Sequence, residues 1–308
     1  EAIFLVLTIC LTDVLLQVPS LLVSNTGSST LINISYITVI ALLFFFIIYL
    51  FISKFPGLDI IDISEYLGGK FLKILVCIIY ISFLIISSSI MIRLFAESIS
   101  LIYFSHLNID IIVLAFIVAS GILNYFGLKS ICRLNMFLIP IMLLSIIFLY
   151  FSSINNYTYE RVFPILGYGV QSTFVNGLSN IFSFGGIFLL FLVFPLLNKT
   201  SEFKKVGIFS IIIYFVFLLL GVSSLLFSFP QVASTNSPLS LYLLARQISL
   251  GEYIQSIDAF FLLIWIPFFL SYLAIKINFT LSIFKKMTKI KYPSGMVYCL
   301  CAILFITT

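Results

Sequence analysis

Residues 166–197 read LGYGVQSTFVNGLSNIFSFGGIFLLFLVFPLL, and how they are understood decides the fold. No charge interrupts the chain from Val162 to Asn198. A helical membrane span takes about 20 mostly apolar residues, and this stretch has ample length for one. Yet Asn176-Gly177 and Phe184-Gly185-Gly186 stand where a plain span would carry leucine. Irregular backbone at membrane depth is tolerated only where it is buried in protein or lines a cavity. The stretch reads as a broken span.

Working outward, apolar runs recur along the chain. They are Ile3–Val23, Leu31–Ser53, Phe71–Ser98, Ile111–Leu128, Leu134–Ser152, Leu166–Leu197, Val206–Phe229, Ala259–Phe284 and Met296–Thr308. Of the 308 residues 62% are apolar and only 9% charged, against roughly 25% charged in a soluble domain. This composition excludes a soluble enzyme, a nucleic-acid binder and a disordered chain. Runs this long and apolar predict helices, not barrel strands, so the fold class is an all-α polytopic membrane protein. The first run lacks the basic flank and small-residue cleavage site of a signal peptide. It begins abruptly and the last run stops short, so further residues are expected at both ends.

Lysine and arginine set the expected orientation. Lys54, Lys70 and Lys73 follow the second span, Lys129 and Arg133 the fourth, and Lys199, Lys204 and Lys205 the sixth. Lys285, Lys286, Lys289 and Lys291 follow the eighth, with Lys276 just before them, so thirteen of the sixteen basic residues fall on one side. Opposite loops hold Arg161 and Arg246. The positive-inside rule places the even-numbered loops and the amino terminus in the cytoplasm.

Five spans precede the sixth, so spans one and six run in opposite directions. That predicts a 5+5 inverted repeat in a single transmembrane domain over residues 1–308. The first repeat covers about 1–152 and the second, incomplete, about 162–308, with nine of ten spans present. The first span carries its own breakers, Thr12-Asp13 and then Gln17-Val18-Pro19-Ser20. Interrupted segments in corresponding positions of two halves point to a midplane binding site.

The candidate ligand-binding residues are Thr12, Asp13, Gln17, Ser88, Asn180, Ser183, Gly185 and Gly186. Asp13 puts a carboxylate in an apolar span at a cost of about 2.5–3.5 kcal/mol, so it is expected to face a cavity, pair with a cation or bind a proton. Ser88 lies in the Ser87-Ser88-Ser89 run of the third span, and the glycines free backbone groups to meet a ligand. Arg93 and Glu97, four apart, share a helical face and read as a structural pair. Pro19 and Asp258, the latter opening the eighth span, read with them as structural or gating residues. The 28-residue loop from Pro230 to Ile257 is the longest outside loop, and its LYLLAR run predicts a short helix, either a lid or an inert surface segment. The five cysteines have no paired metal-ligand spacing. No nucleotide loop, catalytic triad or metal cluster is present, so neither an enzyme nor a cofactor is expected.

The chain resembles the spore germination permease family, the membrane B subunit of endospore germinant receptors within the amino acid–polyamine–organocation superfamily. The residues that carry the likeness are Phe55-Pro56-Gly57, Glu65-Tyr-Leu-Gly-Gly-Lys70, Arg93-Leu-Phe-Ala-Glu97, Phe163-Pro-Ile-Leu-Gly-Tyr-Gly169, Phe182-Ser-Phe-Gly-Gly186, Phe194-Pro-Leu-Leu-Asn-Lys199 and Ile257-Asp-Ala-Phe-Phe261 through Trp265. The resemblance implies a leucine-transporter-like fold with a small germinant, foremost an amino acid, held between spans one and six. It implies a complex with the A and C subunits in the spore inner membrane, and no nucleic-acid partner. One departure stands out. The family's glycine-rich Ile-Gly-x-Gly in the first span is replaced by Leu11-Thr12-Asp13-Val14, so Asp13 offers a carboxylate to an ammonium or cation. A proton- or sodium-coupled amino acid or polyamine transporter remains the alternative reading, and a scaffold subunit that binds nothing a third.

Overall fold

The structure is a computed structural model and describes residues 2–16, 18–104, 106–197, 200–230, 240–248, 257–288 and 294–308, without the side chains of residues 13, 196, 240 and 294. All regular structure among the described residues is helical. Six helices are long and apolar enough to cross a membrane. Three shorter apolar stretches, Ala2–Thr12, Ile109–Tyr125 and Gly295–Thr307, lie where the first, fourth and ninth spans are expected.

The first span is two half-helices, α1 (Ala2–Leu15) and α2 (Val18–Thr26). The break falls later than the Thr12-Asp13 pair alone implied, for the helix runs on to Leu15. The Thr12 hydroxyl donates to the Thr8 carbonyl at 2.7 Å, a local bond compatible with continued helix. Pro19 lies in the first turn of α2, where its missing N–H costs nothing. Gly27 then takes φ +67°, a left-handed value that glycine adopts without strain, and the chain turns into α3 (Thr30–Ile52).

Asp59 caps α4 (Ile60–Ile102), accepting from the Ile61 and Asp62 amides at 3.1 and 2.9 Å. Gly68 and Gly69 kink this helix, which separates a short surface segment from the third span. After α5 (Ile109–Tyr125) and α6 (Gly127–Ser152), the sixth span departs from α-geometry. It consists of α7 (Val170–Phe174), a 3₁₀ run over Asn176–Leu189 and α8 (Leu190–Val193), with Phe184 outside helical geometry at φ −87°, ψ 21°. A long 3₁₀ stretch has poor hydrogen-bond geometry and marks strain or a hinge.

The chain continues through α9 (Thr200–Ser228), α10 (Ser240–Gln247), α11 (Asp258–Thr288) and α12 (Ser294–Thr307). Helix α11 packs against α4, α5 and α6, while α1 packs against α9, α6, α11 and the 3₁₀ run. Helix α1 therefore sits inside the bundle, and the 3₁₀ run packs one face against it while Leu178, Phe182 and Phe188 on its other side are exposed. On α3, Ile37, Ala41 and Phe45 face the core, whereas Val39, Leu43, Phe44 and Ile47 are exposed. A helix apolar on every side has lipid as its natural surroundings.

Candidate ligand site between the broken spans

The two broken spans cross at Gly186. A side chain there would collide with the Cys10 thiol of α1, so only glycine lets the backbones approach. Just outside the crossing is a cleft of about 260 Å³, lined by Val18, Leu21, Leu22 and Asn25 of α2, Met91 of α4, and Ser179, Asn180, Phe182 and Ser183 of the 3₁₀ run. Three separate elements thus meet around one open cleft, in which Leu21, Asn25, Ser179 and Phe182 are exposed, between the interruptions at Asn176-Gly177 and Phe184-Gly185-Gly186.

A chain of amides builds the polar wall. Buried Asn33 of α3 donates from Nδ2 to the carbonyls of Thr173 and Gly177 at 2.8 and 3.0 Å. These acceptors lie where α7 gives way to the 3₁₀ run, so a side chain serves backbone groups at the unwound turn. Asn180 Nδ2 donates to Asn33 Oδ1 at 2.8 Å, and Asn25 Nδ2 donates to Asn180 Oδ1 at 2.7 Å. Thr173 donates to the Ser29 hydroxyl at 2.8 Å. Ser183 donates to the Asn180 carbonyl at 2.7 Å, and the Tyr214 hydroxyl donates to the Ser183 carbonyl at 2.8 Å.

The structure brings together some of the residues expected at the site and not others. Asn180 and Ser183 line the cleft. Asn180 has its amide engaged by Asn25 and Asn33, so it acts as a strut more than a free ligand group. Gly185 has open space around it, and Gly186 lies at the crossing itself. Thr12 is buried and bonded to its own helix. Ser88 is buried and donates to the Leu84 carbonyl at 2.6 Å; its helix reaches the cleft through Met91 instead. Asp13 belongs to the last turn of α1, its side chain outside the described residues, and Gln17 lies outside them altogether.

The whole chain, residues 1–308, matches the family described as spore germination protein. The chain belongs to that family. No curated protein matches it. Membership makes this a germination-related membrane protein of the permease type.

Other polar groups of the germination protein lie away from the cleft. Arg93 donates to Glu97 at 2.6 Å, the partner its i,i+4 spacing predicts, and also approaches Asp110 at 3.7 Å, which the sequence did not mark. Asp258 is the first residue of α11 and accepts from the Tyr242 hydroxyl of α10 at 2.7 Å. Helix α10, foreseen from the LYLLAR run, buries Leu241, Tyr242, Leu244 and Ala245. Leu241 and Val14 of α1 both lie beside Gly221 of α9, so α10 reaches the end of α1. Residues 231–239 and 249–256 of the same loop lie outside the described residues.

Two features escaped the sequence reading. Lys276, grouped there with the inner-loop lysines, is buried at 5% exposure within α11, donates to Ser87 at 3.0 Å and lies over the Tyr272 ring at 4.4 Å. Its aliphatic flanks gave no hint that the charge would point inward. At the other end of the bundle, Lys286 bridges Asp59 and Asp62 at 2.5 and 2.6 Å. Burial pushes the Asp59 carboxyl above its ordinary range, an effect opposed by the Lys286 hydrogen bond. A crevice of about 180 Å³ beside this cluster is lined also by Leu192 and Pro195 from the end of the sixth span.

Proposed function

We propose that the protein is the ligand-sensing membrane subunit of a germinant receptor. It holds a small nutrient, foremost an amino acid, between the broken first and sixth spans and passes the event to its A and C subunit partners. The observation that carries this reading is the cleft where α2, Met91 and the unwound 3₁₀ run converge. A transporter fold suits a receptor because broken helices with glycine at their crossing permit two arrangements of the same segments. Ligand shifts such an equilibrium only by its differential affinity for the two states. In this reading the amino terminus and the lysine-rich loops face the cytoplasm, the cleft opens outward, and the membrane is the spore inner membrane. Asp13, in the last turn of α1, is the carboxylate available to a ligand ammonium or a cation.

The reading is tested by Ser179→Trp, which fills the cleft from a lining position, beside Ser183→Ala. The expected result is loss of nutrient-triggered germination with Ser179→Trp and a weaker response with Ser183→Ala, while both proteins accumulate in the membrane at normal levels. A full response from Ser179→Trp would remove the cleft from consideration.

A further inference from the structure

The segment that joins α3 to the third span exposes apolar side chains where a soluble loop would be polar. Helix α3 has 23 residues, about 34 Å at 1.5 Å per residue, against a hydrocarbon core of about 30 Å. Its far end, at Ile52, therefore lies at the headgroup level. The exposed Leu43, Phe44, Ile47, Leu50 and Phe51 lead along α3 to that end. The Phe51 ring meets Phe55 at 5.7 Å and Phe55 meets Tyr66 at 6.0 Å, so a line of rings runs from the span onto the surface segment. There Tyr66 and Leu67 are 75% and 58% exposed, and Phe71, at 79%, opens the next exposed apolar stretch with Ile74, Leu75 and Ile78. The patch is thus continuous on both sides with surfaces that face lipid, at the depth where tyrosine is enriched.

Charge then favours one kind of lipid. The segment's three carboxylates are taken, because Lys286 bridges Asp59 and Asp62 while Lys73 holds Glu65 at 2.6 Å. The Lys73–Glu65 pair crosses the Gly68-Gly69 kink and fixes the bend, for residues eight apart stand about 12 Å from each other along a straight helix. Lys54 and Lys70 are exposed and form no ion pair among the described residues. They adjoin the rings in sequence, Lys54 beside Phe55 and Lys70 beside Phe71. Lys204, 5.8 Å from the Tyr49 ring, adds a third cation at the same end of α3.

We propose that this segment is a binding site for anionic phospholipid. Tyr66, Leu67 and Phe71 seat in the headgroup layer, and Lys54 and Lys70 hold the lipid phosphate. Each lysine at a membrane surface strengthens attraction to anionic lipid by about fivefold. The same segment is tied through Asp59 and Asp62 to Lys286 of α11, so a lipid held here bears directly on the helix bundle.

The test is the fluorescence of purified Tyr66→Trp protein in vesicles of phosphatidylcholine mixed with phosphatidylglycerol, one or the other lipid being brominated on its acyl chains to quench by contact. Trp265, the chain's one tryptophan, is fully buried, so the new signal is read as the difference from the parent protein. At equal lipid fractions and low salt, brominated phosphatidylglycerol is expected to quench at least about threefold more effectively than brominated phosphatidylcholine. High salt should reduce that preference. Lys54→Gln combined with Lys70→Gln should bring the two lipids to within about 1.5-fold of each other. Equal quenching by the two lipids with both lysines present overturns the proposal, and so does a preference that survives the loss of both. Quenching by neither lipid also overturns it and makes a protein partner the occupant of the patch. The comparison with both lysines present decides even where the lysine variants fail to fold.

Discussion

At the scale of single residues, the site depends on absences as much as on side chains. Gly186 has the Cys10 thiol where a Cβ would go, and the rest of Cys10 stands at 3.7 Å. Gly186→Ala should therefore destabilise by about 1–3 kcal/mol, the usual range for overpacking. Adding Cys10→Ala removes the sulfur and should restore most of the loss. Thermal unfolding of the two variants in detergent checks this, and an equally unstable double variant would show that another contact limits the crossing. Asn33 illustrates the opposite need. Buried carbonyls at an unwound turn must find donors, and one amide supplies Thr173 and Gly177 together. Nothing in the local sequence marks Asn33, which sits between Ile32 and Ile34 in an ordinary apolar span. Its partners are more than a hundred residues away, so only the folded chain reveals it.

At the scale of elements, breaks were legible and pairings were not. The polar and glycine-bearing interruptions located both broken spans, since propensity and turn chemistry act over a few residues. The exact break in the first span was less legible, because Thr12 bonds back to Thr8 and lets the helix continue. The clamp of α11 onto the start of α4 joins residues 224 and 227 positions apart, beyond any local signal. Lys286→Met should leave the mostly buried Asp59 without its lysine and cost about 1–3 kcal/mol. Asp59→Asn in the same protein should recover part of that by removing the orphaned charge, although the cap to Ile61 and Asp62 is weakened. A double-mutant cycle by chemical unfolding measures the coupling, and additive losses would mean the ion pairs contribute nothing.

At the scale of the whole molecule, the topology yields a test independent of the ligand. With the amino terminus inside, Lys70→Cys lies on the cytoplasmic face and Leu107→Cys on the outer face. In a background with Cys299→Ser, an impermeant maleimide applied to intact cells should label Leu107→Cys and spare Lys70→Cys until the membrane is opened. The reverse pattern would invert the assigned orientation, and with it the outward opening of the cleft. The sequence alone determined that the chain lives in a bilayer, where its apolar runs lie, and that two of them are broken. Lipid makes those outcomes matters of composition and length, since each span must satisfy its own backbone. The tertiary structure alone decided that Asn25, Asn33 and Asn180 form one chain, that Met91 and not Ser88 reaches the cleft, and that Lys276 turns inward. Those are contacts between distant segments, and in a membrane they follow from close packing and polar satisfaction between helices, which no reading of one helix at a time contains.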